Sequence, residues 1–285
     1  MEPDHLIARA ALRLIGRAIL LLLSSLFAAP AQAQAPAGCA AHSLAIGAAL
    51  LRSDWDEFDA LGRRLLRERG TLRETALAAA GECGGWALRA RLAMASGSRA
   101  YEGVSTVGAP ISTTSRLRID TFGVEVTCCL STGWRAGARL GRRLTSRDIA
   151  SAGPVLGYPE RFKTTLAEIG VRWQGPEAAG HELGLQAWAG TGPRGRVSID
   201  LPQADPTTLE LGRPRSLAIG AEVGTAPQSM RSFGWKAWLG WAMLETAAGP
   251  ASALTRNGLV IGGAAQPRMR SSELQLGLSM LFDIR

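Results

Sequence analysis

The chain has 285 residues, with 34 Gly and 8 Trp but only 3 His and 2 Tyr, and its formal net charge is +8. Beyond the N-terminus no uninterrupted apolar run approaches the ~18 residues that a spanning helix needs, which excludes a helical membrane protein. Length alone leaves one or two domains open, and the basic balance points to an anionic partner of some kind.

Residues 1–35 read as a cleaved export signal. Arg9, Arg13 and Arg17 form a positive region, "AILLLLSSLFAA" an apolar core, and "AQAQA" offers small-residue cleavage sites after Ala33 or Ala35. Removing this segment takes away three Arg against Glu2 and Asp4, a net of +1, so the mature chain keeps +7 of the +8. An exported chain rarely meets nucleic acid, so the phosphates of an anionic lipid surface are the better match for that charge. "PAGC" before Cys39 lacks the bulky aliphatic residue of a lipid-attachment site. Residues 36–50 are expected to form a periplasmic tail, and residues 51–285 a barrel.

From about Ser53 onward, segments of roughly ten residues alternate in apolarity, the signature of transmembrane strands. The first, "SDWDEFDALGRRLLRERGTLRETALAAAGEC", reads as a hairpin turning at "DALGRR". A short amphipathic helix over 58–69 competes, since Leu61, Leu65 and Leu66 recur near helical spacing. Eight further strands follow between Trp86 and Ile284. "WALRARLAMA" sets Trp86, Leu88, Leu92 and Met94 against Arg89 and Arg91, and "GWRAGARLG" sets Trp134 and Leu140 against Arg135 and Arg139. "LAEIGVRW", "SLAIGAEVG" and "SFGWKAWLGWAM" likewise place Glu168, Arg172, Glu222 and Lys236 opposite an apolar face. In "RLRIDTFGVEV" the phase moves from Leu117 and Ile119 to Phe122, Val124 and Val126, and a β-bulge near Asp120 or Thr121 would restore a single face.

Connections at 82–85, 131–133, 174–180 and 225–231 are short, and those at 97–115, 146–161, 190–214 and 247–270 are long. This alternation matches short periplasmic turns and long extracellular loops. The expected fold is therefore all-β, a transmembrane antiparallel up-and-down barrel of ten strands, with eight as the runner-up. Its last strand, "QLGLSMLF", resembles the C-terminal assembly signal of outer-membrane barrels through Gln275, Gly277, Met280 and Phe282. That resemblance implies the barrel-assembly machinery as a partner.

Four cysteines remain in the mature chain, and export takes them to an oxidising compartment. Cys83, Cys128 and Cys129 fall at periplasmic turns, so a Cys39–Cys83 bond would tie the tail to the rim. Inside the barrel, Arg89, Arg91, Arg139, Glu168, Arg172, Glu222 and Lys236, with Glu273, are expected to pair and fill a narrow lumen. A small polar pore is the sharper alternative. "GTGPRG" matches a dinucleotide-binding pattern in letters only, because no helix follows it. No cofactor is expected, and no metal site.

"LGYPERFKTTLAEIGVRW" resembles a segment of the omptins, ten-stranded outer-membrane proteases, through Gly157, Tyr158, Arg161, Phe162 and Lys163. The family's catalytic residues do not carry over. The loop 190–214 offers Asp200 and Asp205 but no histidine, and the mature histidines, His42 and His181, are expected at the periplasmic end. General-base chemistry on water needs a group within hydrogen-bond reach. The expected role is thus a non-enzymatic surface or structural barrel. It would bind lipopolysaccharide or another anionic ligand through Arg147, Arg194, Arg196, Arg213 and Arg215. An omptin-like hydrolase with a rebuilt site and a narrow channel are the alternatives. Oligomeric state is left open.

Overall fold

In the computed structural model the described residues are 40–104, 108–153, 155–178, 180–225 and 233–284. The export signal and Cys39 lie outside them. Fourteen strands run in chain order: β1 (Ala40–Phe58), β2 (Arg64–Cys83), β3 (Trp86–Val104), β4 (Pro110–Ser131), β5 (Trp134–Ile149), β6 (Pro159–Gln174) and β7 (Glu182–Thr191). They continue with β8 (Arg196–Ile199), β9 (Thr207–Glu210), β10 (Pro214–Thr225), β11 (Phe233–Thr246), β12 (Ser252–Arg256), β13 (Leu259–Ala264) and β14 (Arg268–Ile284).

Ten of them close a barrel. Neighbours follow the order β5-β4-β3-β2-β1-β14-β11-β10-β7-β6, and β6 returns to β5. Every pair is antiparallel, and β1 against β14 forms the seam. Closure removes the free edges that an open sheet would expose. The segment 53–83 is a hairpin, as its alternation indicates, and the helical alternative is not realised. Its turn falls at Asp59–Arg63, where the Asp59 carboxylate accepts hydrogen bonds from the Leu61 and Arg63 amides at 2.9 and 2.8 Å. Gly62 supplies the positive φ of 81° that this tight turn requires.

Three expectations need correction. Residues 40–50 are not a tail but the first half of β1. Their alternation is hidden because both faces are apolar: Ile46 and Leu50 point outward, while Gly47, Ala49 and Leu51 point inward. The bulge near Asp120 does not occur, since Ile119, Asp120, Thr121 and Phe122 pair in unbroken register with Ala95, Met94, Ala93 and Leu92. Three of the four long outer segments carry strands of their own or consist mostly of extensions of their neighbours. β3 and β4 continue to Val104 and from Pro110, 190–214 carries β8 and β9, and 247–270 carries β12 and β13.

The phase change in β4 has a physical cause. Leu117 and Ile119 point inward and are buried, while Phe122 and Val126 point outward and are exposed. The preferred solvent of the outer wall switches between Asp120 and Phe122. Below that level the outward positions form an apolar band: Ile46, Leu50, Leu77, Leu88, Leu92, Leu140, Ile169, Leu185, Ile219, Leu239, Leu274 and Leu278. Above it they are polar: Arg52 and Asp54 on β1, Arg67 and Arg69 on β2, Arg116 and Arg118 on β4. A continuous belt of exposed large apolar side chains around a closed barrel is what a bilayer covers. The lower rim adds Trp86, Trp134 and Phe233, an aromatic girdle of the interfacial kind.

A spanning strand takes about 9–11 residues, yet β3 has 19 and β4 has 22. The upper half of the barrel therefore stands clear of the band. It has its own interior, where Trp55, Leu66, Tyr101, Ile149, Phe162, Val197, Leu209, Leu211 and Met269 pack together. The short strand β8 pairs with the upper part of β6, and β9 pairs with β8.

Candidate functional site

Three charged assemblies stand out, each at a different level. The highest is a buried cluster inside the upper barrel, well above the apolar band. Arg147 of β5 reaches Glu57 of β1 at 2.9 Å, Glu68 of β2 at 3.3 Å and, through Nε, Glu160 of β6 at 2.6 Å. Arg99 of β3 approaches the other Glu68 oxygen at 3.5 Å and donates to Ser53 Oγ. Trp55 covers both guanidinium groups, with Arg147 5.2 Å and Arg99 5.8 Å from its ring centre. Its indole N–H donates to Glu57 at 3.0 Å, and Phe162 meets it edge-on at 5.3 Å. Five strands are thus joined by charges that are all nearly inaccessible to water.

Three carboxylates face two guanidinium groups here, so one negative charge is in excess in a place that solvates it poorly. Burial pushes the Glu160 carboxyl up to about 7, with the nearby Glu57 and Glu68 adding to the rise and Arg147 opposing it.

The second assembly fills the lumen within the band, and it contains every residue expected there. Arg172 bridges Glu125 at 2.8 Å and Glu222 at 3.3 Å, and Lys236 meets Glu222 at 3.0 Å. Arg91 pairs with Glu74, and Arg139 with Glu168, which also accepts from Ser216 Oγ at 2.7 Å. Arg89 lies in register with Glu125. Across the barrel, Arg143 of β5 binds Glu273 of β14 at 3.1 Å. Two indoles complete the filling. Trp188 is buried beneath the Arg139 guanidinium, 4.9 Å from its ring centre. Trp238 lies against Gly47 and Gly277 on the seam strands.

The glycine of the closing strand has its reason here. A Cβ on Gly277 would sit 2.2 Å from the Trp238 ring. Gln275, two residues earlier on the same inward face, donates to Glu74 at 2.7 Å. Met280 faces outward, in the lower part of the band.

The third assembly is external, and of its residues only Arg215 was among the ligand-binding cations expected from the sequence. Arg52 (β1), Arg73 (β2), Arg118 (β4), Arg142 (β5), Lys163 (β6) and Arg215 (β10) are exposed and lie in phase with the outward apolar residues, at or just above the top of the band. Arg118 pairs with Asp120 at 3.1 Å. The other five make no ion pair among the described residues. Higher on the same wall Asp54 pairs with Arg69 at 3.3 Å and Asp56 with Arg67 at 3.8 Å.

The expected loop cations divide accordingly. Arg194, Arg196, Arg213 and Arg215 are exposed, and Arg194 approaches Glu210 at 3.4 Å. Arg147 is a correction: it is an inward residue of β5 held by three glutamates, so it is not a loop cation open to a ligand. Alternation could have placed it inward, since it is in phase with Arg139 and Arg143. Among the described cysteines, Cys128 and Cys129 carry free thiols. The Cys39–Cys83 pairing involves a residue outside the described ones. Asp205 receives hydrogen bonds from Thr255 Oγ1, the Asn257 amide and the Gly258 amide at 2.8, 3.0 and 3.1 Å.

A closed ten-stranded antiparallel barrel with an apolar outer band, an aromatic lower rim and a packed polar lumen has the architecture of an outer-membrane β-barrel. One solved structure supports the fold, and two others are looser matches. The outer membrane protease OmpT from Escherichia coli is similar over 89% of this chain and 99% of its own, with 9% identity and a TM-score of 0.56. Neisserial surface protein A matches more loosely, with a TM-score of 0.36 and 9% identity over 86% of this chain and 98% of its own. The translocator domain of the autotransporter NalP from Neisseria meningitidis gives 0.39, at 10% identity over 97% and 96%. No protein-family model and no curated protein sequence matches the chain.

Proposed function

We propose that this chain is a non-enzymatic, non-conducting barrel of a Gram-negative outer membrane that binds the phosphates of lipopolysaccharide. It would be exported by a cleaved signal and inserted by the barrel-assembly machinery. The observation that carries the reading is the row of five unpaired cations at the border of the apolar band, the height at which outer-leaflet phosphates lie. Exposed arginines of the outer loops, Arg194, Arg196 and Arg213, extend the same positive surface upward. Higher on that wall Asp54 and Asp56 hold Arg69 and Arg67, whereas the five border cations take no carboxylate partner from the described residues.

The alternatives find less support. A channel needs a continuous aqueous path, and here indoles and ion pairs occupy the lumen. A hydrolase rebuilt around Asp200 and Asp205 would have to work with an Asp205 carboxylate that already accepts three hydrogen bonds.

The test is flotation of the refolded protein with lipopolysaccharide-containing vesicles. Replacing Arg52, Arg73 and Arg142 together by Gln should weaken association at least tenfold, and added salt should weaken the wild type, since exposed charges are screened within about 8–10 Å. Equal binding by the triple variant would overturn the assignment. Stable single-channel steps in a planar bilayer would overturn the sealed lumen.

A further inference from the structure

Strands β12 and β13 form a hairpin that belongs to no other sheet among the described residues. Its turn is Asn257–Gly258, with φ of 52° and 78°, the left-handed pair that a two-residue hairpin turn uses. The Asp205 carboxylate fastens that turn from the neighbouring β8–β9 connection. An isolated two-stranded hairpin is marginal in water, so this one is held in shape from outside.

Among the described residues the outer edge of β13 pairs with no strand. Its sequence, Leu259-Val260-Ile261-Gly262-Gly263-Ala264, has no charge and no proline, two of the devices by which proteins blunt such an edge. Leu259 is 73% and Val260 71% exposed. The pairing with β12 steps from Leu254↔Gly262 to Thr255↔Val260, so Ile261 has no partner there. A Cβ built on Gly262 would meet nothing within 4 Å, and one on Gly263 only the Ser252 carbonyl at 3.7 Å, so the space beside both glycines is open.

We propose that this edge is an interface with a second copy of the chain. Two β13 strands pairing antiparallel about the Ile261–Gly262 bond set Leu259, Val260 and Ile261 of one copy opposite Ala264, Gly263 and Gly262 of the other. Large apolar residues then meet the open space over glycines, twice over by symmetry, as a two-fold interface requires. The product is a four-stranded sheet, β12-β13-β13-β12, which escapes the marginality of either hairpin alone. A barrel fixed in a bilayer also holds this edge at one height in every copy, which raises the rate at which two such edges meet. The occupant follows from self-complementarity, independently of any lipid bound at the border below.

The experiment uses the full mature chain in detergent and in proteoliposomes. Cys128 and Cys129 are replaced by Ser in every sample. Wild type should sediment as a dimer, and Ile261→Lys should raise the dissociation constant at least tenfold. The heat-shifted gel band of the closed barrel should be unchanged in that variant, because β13 takes no part in the barrel ladder. Mixing Val260→Cys with Gly263→Cys chains should give oxidised heterodimers in large excess over either homodimer. A monomeric wild type, a dimer indifferent to Ile261→Lys, or cross-linking without that preference would each overturn the proposal.

Discussion

Replacing Arg147 by Met removes one guanidinium group while nearly keeping its volume. Glu57, Glu68 and Glu160 would then face Arg99 alone, and Arg99 reaches only Glu68. Removing one partner of a buried pair typically costs about 3–5 kcal/mol, because a charge is left without compensation. The loss here should fall in that range at pH 7.5. It should shrink at pH 5.5, where orphaned carboxyls take up protons. The wild type has its own pH dependence of known sign. The Glu160 carboxyl is raised in the folded protein to about 7 from an ordinary 4.5. Its stabilising contribution is therefore complete below about 4.5 and is lost as pH rises through about 7. Urea unfolding of the refolded chain, followed by tryptophan fluorescence at the two pH values, reads both effects, since Trp55 lies over the Arg147 guanidinium. Glu160→Gln should flatten the wild-type slope with little loss at pH 7.5. A loss below about 1 kcal/mol for Arg147→Met, or an equal loss at both pH values, would refute the charge count.

Gly277→Val should lower refolding yield and cost about 1–3 kcal/mol through overpacking against Trp238; a second change, Trp238→Ala, should restore the heat-shifted band on a gel. Asp205→Ala removes the acceptor for the Asn257 and Gly258 amides. At about 1 kcal/mol per hydrogen bond, hydrogen exchange at those two amides should speed up roughly fivefold, while β1–β3 stay unchanged. Non-reducing peptide mapping should find Cys39 joined to Cys83, with Cys128 and Cys129 open to alkylation; a Cys83 that alkylates freely would end that assignment.

Much of this architecture is legible in the residues because a membrane barrel must alternate. The band, the lumen charges and the ten strands all follow from period two. What escapes that rule is physically specific. In β1 the inward positions are Gly47, Ala49 and Leu51, because Trp238 packs there in place of water or ions, so both faces read as apolar. In β4 the alternation never slips; the medium outside changes at Asp120, and a reader who assumes one medium infers a bulge. Arg147 misleads in the opposite direction. It lies close to a loop in the chain, but β5 continues past the band and points it into a second, dry interior. The border cations are invisible without register, since Arg52, Arg73 and Arg142 share a level only once the strands are aligned.

The seam between β1 and β14 joins the two ends of the described chain, with partners running from His42↔Ile284 to Phe58↔Arg268. No contact of that pair can form until the final strand has been delivered. Until then every intermediate has two raw edges and a lumen of charges open on one side. Loop closure over such a separation makes folding slow. The last strand therefore acts as a latch, and a chain shortened by those residues would present an open curved sheet, ready to join any strand it met.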